Sequence, residues 1–216
     1  AKESKRLDAW LINYSTDYIF DGEKRDSYTE LDETNPLSVY GKSKLAGEKS
    51  IQESGCKYII FRTSWVYSVH GSNFVKTIIR LSKEKNSLNV INDQIGVPTS
   101  AELIANVSCL CLYRLLYEKN FSKGKMGIYN LTPKGKTNWH NLAIYIVEKS
   151  KEFGESNLID CENVYPISSL KYNSLAKRPL NSLLNTKKIC DVFGINLPHW
   201  KTQLNLTLQE IYSLRT

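Results

Sequence analysis

The chain has 216 residues, of which 41 % are hydrophobic and 24 % charged, with a formal net charge of +7 and a pI near 9.0. That is enough apolar material for one domain or one and a half. No apolar run approaches the roughly 18 residues of a membrane span and no signal peptide opens the chain, so a soluble protein without a membrane partner is expected. The positive charge comes without a basic helix, zinc spacing or interleaved aromatics, which argues against nucleic acid. It reads as a lysine-rich solvated surface, or as a field that attracts a dianionic nucleotide diphosphate. Five scattered cysteines, Cys56, Cys109, Cys111, Cys161 and Cys190, form no paired pattern and point to free thiols in a reducing cytoplasm.

In chain order, Ala1 to Leu7 reads as the tail of a helix, and Ala9 to Tyr14 as a short apolar strand ending in Ser15, Thr16 and Asp17. Thr34 or Asn35 as N-cap, Pro36 in the first turn, and apolar Leu45 and Ile51 predict a helix from Pro36 to Gln52. The strand Lys57 to Arg62 has a continuous apolar centre, as in a strand buried on both faces. A helix from Asn73 to Lys85 and a strand from Leu88 to Ile91 complete the alternation of a parallel α/β sheet with crossover helices.

Beyond Ile91 a turn-rich loop, Asn92 to Ser100, leads into a helix from about Ala101 to Glu118 with apolar Leu103, Ile104, Val107, Leu110 and Leu115. We place a domain crossing here, giving residues 1–92 and a smaller lobe at 93–216. The lobe continues with a strand near Ile128 to Leu131, a helix Trp139 to Lys151, a strand Val164 to Ile167, and helices Thr186 to Phe193 and His199 to Leu214.

The chemistry converges on one pair. Tyr40 and Lys44 stand four apart on one helix face, where an ammonium favours a phenolate and readies the tyrosine as a proton donor. Thr16, at the end of the neighbouring strand, can hydrogen-bond the same substrate oxygen. Tyr-x-x-x-Lys alone is a weak motif, and Tyr145 with Lys149 repeats it without a Ser/Thr strand end upstream, so that second pair reads as a surface tyrosine beside a solvated lysine. The strand from Lys57 delivers Thr63, Ser64 and Trp65. Since ligands of open α/β sheets bind outside the carboxyl ends of the strands, Thr16 and Trp65 are expected to face one crevice. Arg178, in a basic loop, can clamp a diphosphate bidentately or serve only as a solvated charge. His70, His140 and His199 lack metal-ligand spacing.

Several blocks together carry a family resemblance: Tyr14-Ser-Thr-Asp-Tyr-Ile-Phe-Asp-Gly22, Tyr40-Gly-Lys-Ser-Lys-Leu-Ala-Gly-Glu48, Phe61-Arg-Thr-Ser-Trp-Val-Tyr67, Val90-Ile-Asn-Asp-Gln-Ile-Gly-Val-Pro-Thr99 and Lys177-Arg-Pro-Leu-Asn-Ser182. In order and spacing they resemble the dTDP-4-dehydrorhamnose reductases, a branch of the extended short-chain dehydrogenase/reductase superfamily. Tyr18 stands where the superfamily's dehydratases carry glutamate, which argues for a plain reductase. The resemblance implies a Rossmann-like doubly wound sheet with NADPH or NADH as cofactor and a dTDP-sugar as substrate. Tyr40, Lys44 and Thr16 would be catalytic, Thr16, Asp17, Trp65 and Arg178 substrate-binding, and Tyr40, Lys44 and Thr63 cofactor-binding. It also allows a homodimer and a Mg2+ ion, to which the residues themselves do not point. The glycine-rich turn that opens such proteins is absent, so the chain reads as a reductase without its first several dozen residues, with residues 1–92 a partial cofactor-binding domain. A second reading is a non-catalytic subunit like the β subunit of methionine adenosyltransferase, which resembles the same family, or an inactive truncated fragment.

Overall fold

The computed structural model describes residues 1–154, 158–172 and 177–214. In chain order the first elements are α1 (Lys2–Arg6), β1 (Trp10–Thr16), α2 (Val39–Ser54), β2 (Lys57–Thr63), β3 (Val66–Tyr67), α3 (Phe74–Glu84), β4 (Leu88–Ile91), β5 (Ile95–Gly96) and β6 (Thr99–Ser100). They are followed by α4 (Ala101–Tyr117), β7 (Gly127–Asn130), β8 (Thr137–Asn138), α5 (Trp139–Glu152), β9 (Val164–Ile167), α6 (Lys187–Phe193) and α7 (Trp200–Ser213), with 3-10 turns at Asp17–Ile19 and Cys161–Asn163. Every long predicted element is present within three residues of its expected ends. The four two-residue strands are new, too short to leave a period in the sequence.

The chain divides into two units, and neither is a contiguous segment. The first holds residues 1–64, 102–132 and 177–197, the second 65–101, 133–154, 158–172 and 198–214. The chain thus passes between units five times, where the sequence suggested one crossing at 92/93. Periodicity identifies a strand but not the strand it pairs with. Two strands accordingly change places. The one at Gly127–Asn130, expected in the smaller lobe, pairs parallel to β2, and Leu88–Ile91, expected in the main sheet, pairs parallel to β9.

In the first unit β2 is the middle strand of the parallel order β1-β2-β7. Side chains alternate across a strand, so its apolar run serves two cores. Ile59 and Phe61 pack with Leu103, Ile104, Val107 and Cys111 of α4 and with Ile189 and Phe193 of α6. Tyr58 and Ile60 pack on the other face with Ile51 of α2. Full burial of each such side chain contributes roughly 1.5–3 kcal/mol. Leu110, expected on the buried stripe of α4, is 43 % exposed, and Cys111 is buried instead.

In the second unit α5 packs on α3, α7 and the strands β4 and β9. Its buried face is Leu142, Ala143, Ile146 and Val147. Among the described residues no helix is long and apolar enough to cross a membrane.

Candidate active site

β1 ends by turning sharply away from the sheet. Thr16 remains extended, and its Oγ1 accepts from the Tyr18 N–H at 3.2 Å, capping the 3-10 turn Asp17–Ile19. The same hydroxyl donates to Asp17 Oδ1 at 3.1 Å. Asp17 is buried, and its Oδ2 has no hydrogen-bond partner among the described residues. Burial pushes its carboxyl up to about 6, the Ser182 and Thr16 hydroxyls opposing the rise. Ser15 Oγ and Thr63 Oγ1 are likewise buried and without a partner. Thr63 lies directly opposite Thr16 in the β1–β2 register. Leaving such atoms unsatisfied costs about 1–3 kcal/mol each. These unpartnered atoms lie at the carboxyl ends of adjacent parallel strands, the end of an open α/β sheet at which ligands bind.

Helix α2 begins three residues later than the sequence suggests. Its cap is Ser38, whose Oγ accepts from the Gly41 N–H at 3.1 Å. Asn35 instead donates to Asp21 Oδ2 at 3.1 Å. The shift places Tyr40 in the first turn of the helix. Tyr40 is 53 % exposed and meets the Tyr18 ring edge-on at 5.8 Å.

Three contacts pin α2 to the end of the sheet. At Gly41 the helix presses on the turn after β1 so closely that a Cβ would lie 2.2 Å from the Tyr18 carbonyl oxygen. One turn on, the Lys44 ammonium donates to the Tyr14 carbonyl of β1 at 2.6 Å. One turn further, Glu48 accepts from Arg62 Nε at 3.1 Å and Nη2 at 2.7 Å, with both side chains buried. Sequence reasoning passed over Glu48 and Arg62. A glutamate four residues beyond Lys44 and a lone charge inside an otherwise apolar strand were the available signals.

The Arg178 loop belongs to the same unit. Asn181 Nδ2 donates to the carbonyls of Lys24 at 2.6 Å and Asp26 at 2.9 Å, and the Tyr28 N–H donates to the Leu183 carbonyl at 2.7 Å. Gly22, at φ +81°, lets the loops meet, since a Cβ there would stand 2.6 Å from the Leu180 nitrogen. Arg178 is exposed. Burial raises the Tyr18 phenol above its ordinary value and the Asp17 charge adds to this, while the Arg178 charge opposes it. Tyr18 therefore sits among Asp17, Arg178 and Tyr40, a third residue that sequence reasoning did not count in the site.

Trp65 belongs to the second unit. It is half-buried, and its backbone takes the left-handed conformation at φ +48°. For a bulky residue this costs on the order of 1–3 kcal/mol. Its ring stacks on Trp139 at 3.6 Å. The repeated motif is engaged in structural contacts, and neither residue is the freely solvated group expected: half-buried Tyr145 donates to Asn205 at 2.8 Å and Lys149 pairs with Glu152 at 2.7 Å. His199 caps α7, its Nδ1 accepting from the Lys201 N–H.

The parallel sheet with its crossover helices places the chain among Rossmann-type α/β proteins. Its family is more specific. The RmlD substrate binding domain family matches residues 1–213, and the chain belongs to it. The dTDP-4-dehydrorhamnose reductase of Shigella flexneri is 41 % identical over 213 residues, 99 % of this chain and 69 % of that protein. The reductase of Salmonella typhimurium is also 41 % identical, over 216 residues, the whole chain and 70 % of the relative. Among solved structures, dTDP-4-dehydrorhamnose reductase from Bacillus anthracis in complex with NADP aligns at a TM-score of 0.83 with 32 % identity, covering 96 % of this chain and 68 % of that one.

Proposed function

We propose that this chain reduces the C4 keto group of dTDP-4-dehydro-L-rhamnose to dTDP-L-rhamnose with NADPH or NADH, a step of nucleotide-sugar biosynthesis for polysaccharide. The observation that carries the reading is the fastening of α2: the Lys44 ammonium is held on the Tyr14 carbonyl, on the helix face that also bears the solvent-accessible Tyr40. The unpartnered Ser15, Asp17 and Thr63 oxygens at the strand ends suit a polyhydroxylated ligand and a nicotinamide carboxamide or ribose. When bound, the reduced nicotinamide supplies a hydride equivalent.

The chain's own residues then handle one proton. Tyr40 donates its phenolic proton to the developing alkoxide, with Lys44 one turn further along the same helix face. Thr16 steadies the same oxygen once its hydroxyl leaves Asp17. Above about pH 6 Asp17 is ionised, and its open Oδ2 accepts a sugar hydroxyl. Arg178 faces the diphosphate, and Trp65 of the second unit offers an apolar wall to the sugar. The non-catalytic subunit is not favoured, since relatives bearing the reductase name match 99 % of the chain at 36–41 % identity.

The test is Tyr40→Phe. Turnover, followed as NADPH oxidation with dTDP-4-dehydrorhamnose, should fall by about 10²–10⁴-fold. Calorimetric affinity for dTDP-rhamnose should be nearly unchanged. Full activity in the variant would remove Tyr40 from the mechanism.

A further inference from the structure

One block of the sequence, Asn92-Asp-Gln-Ile-Gly96, has no part in proton transfer, and the structure gives it an occupation. Within the second unit, two short strand pairs bring three separate segments together. The β3–β6 pair holds the residue after Trp65 against Thr99, and the Thr99 N–H donates to the Trp65 carbonyl at 3.2 Å. The β5–β8 pair sets Gly96 opposite Thr137 and Ile95 opposite Asn138. Asn138 then caps α5, its side chain accepting from the Asn141 N–H at 2.7 Å, so the next residue, Trp139, is fixed at the helix start.

The two indoles are nearly parallel, 13° apart with centroids at 3.6 Å. Trp139 is further held by Phe74, at 4.6 Å, and by its Nε1–H, which donates to the buried Gln94 at 3.1 Å. The Trp65 ring also leans on Gly96, where a Cβ would come within 2.5 Å of it. A bulky residue in the left-handed backbone conformation persists only where its surroundings over-determine it. Here Trp139, Gln94 and Gly96 do so.

We infer that Trp139 is a positioning residue for the sugar site. Held by Gln94, it seats the Trp65 ring, and through Trp65 it sets the affinity for the dTDP-sugar without taking part in the chemistry. This rests on the reading of Trp65 as the sugar wall. It assigns Gln94 and Gly96 to the same seat, Gln94 by holding Trp139 and Gly96 by leaving room for the ring.

A double-mutant cycle on dTDP-rhamnose binding tests it, using Trp65→Leu, Trp139→Leu, the double variant and Trp139→Phe. A pair of stacked indoles gives an exciton couplet in the far-ultraviolet circular dichroism, which either leucine variant should abolish. Trp139→Leu is expected to weaken binding about tenfold, the scale of one lost aromatic contact and its packing, and Trp139→Phe to restore most of it. Because Trp139 acts through Trp65, the double variant should bind no more weakly than Trp65→Leu alone. Additive losses, or native affinity in Trp139→Leu once the couplet has gone, would overturn the inference while leaving Trp65 in the site. Native affinity in Trp65→Leu would remove the sugar-wall reading, and the positioning role with it.

Discussion

The two units hold their site residues by opposite means. In the first, polar chemistry does the holding: a buried Glu48–Arg62 pair, an ammonium on a backbone carbonyl, and a carboxylate enclosed with its own hydroxyls. In the second, Trp65 is held by ring stacking and by the missing Cβ of Gly96. The difference follows from what each residue is asked to present. A proton donor and its lysine need fixed charge in a fixed direction, which hydrogen bonds supply with angular precision. An apolar wall needs shape and stiffness, which packing supplies.

The comparison can be broken most severely at the ion pair. Glu48→Ala leaves the Arg62 guanidinium buried without its carboxylate, and the first unit should lose about 3–5 kcal/mol in urea unfolding. A loss below about 1 kcal/mol would show that α2 is held by Gly41 and Lys44 alone. Replacing both partners with apolar residues of similar volume should cost far less, since no charge is then stranded.

A somewhat smaller effect belongs to Asp17, and its sign is set by burial. With the folded carboxyl near 6 and the ordinary value at 3.8, the native state holds its proton over a pH range in which the unfolded chain has released it. Stability therefore falls as pH rises from about 4 to about 6, by about 3 kcal/mol in total. Asp17→Asn should flatten this segment of the stability-versus-pH curve. An unchanged slope in the variant would place the titration elsewhere. No such slope is expected from the aromatic seat of the second unit.

The smallest effect sharpens the contrast from the other side. Gly96→Ala forces the Trp65 ring to move, an overpacking cost of about 1–3 kcal/mol. It should be insensitive to salt and pH, and it should disturb the indole couplet in circular dichroism. A salt-dependent cost would mean that charge has a share in holding Trp65.

Element by element, much was legible in the sequence. The bounds of α3, within one residue, and those of β4 and β9 could be read directly, because they are set by residues adjacent in the chain. So could Tyr40, Lys44 and the Ser15-Thr16-Asp17 strand end, since the i, i+4 face and the strand terminus are local geometry. The start of α2 was misplaced because Asn35, a good cap by type, is drawn to Asp21 instead. That competition lies fourteen residues away and leaves no local trace.

What only the tertiary structure decided is pairing. That β7 lies beside β2 and β4 beside β9, that Arg62 finds Glu48, and that Gly96 faces the Trp65 ring all depend on which segments meet across long loops. A sequence encodes its own φ, ψ preferences and its apolar period residue by residue. Partners distant along the chain are selected by the collective burial of many side chains, and no single residue carries that choice.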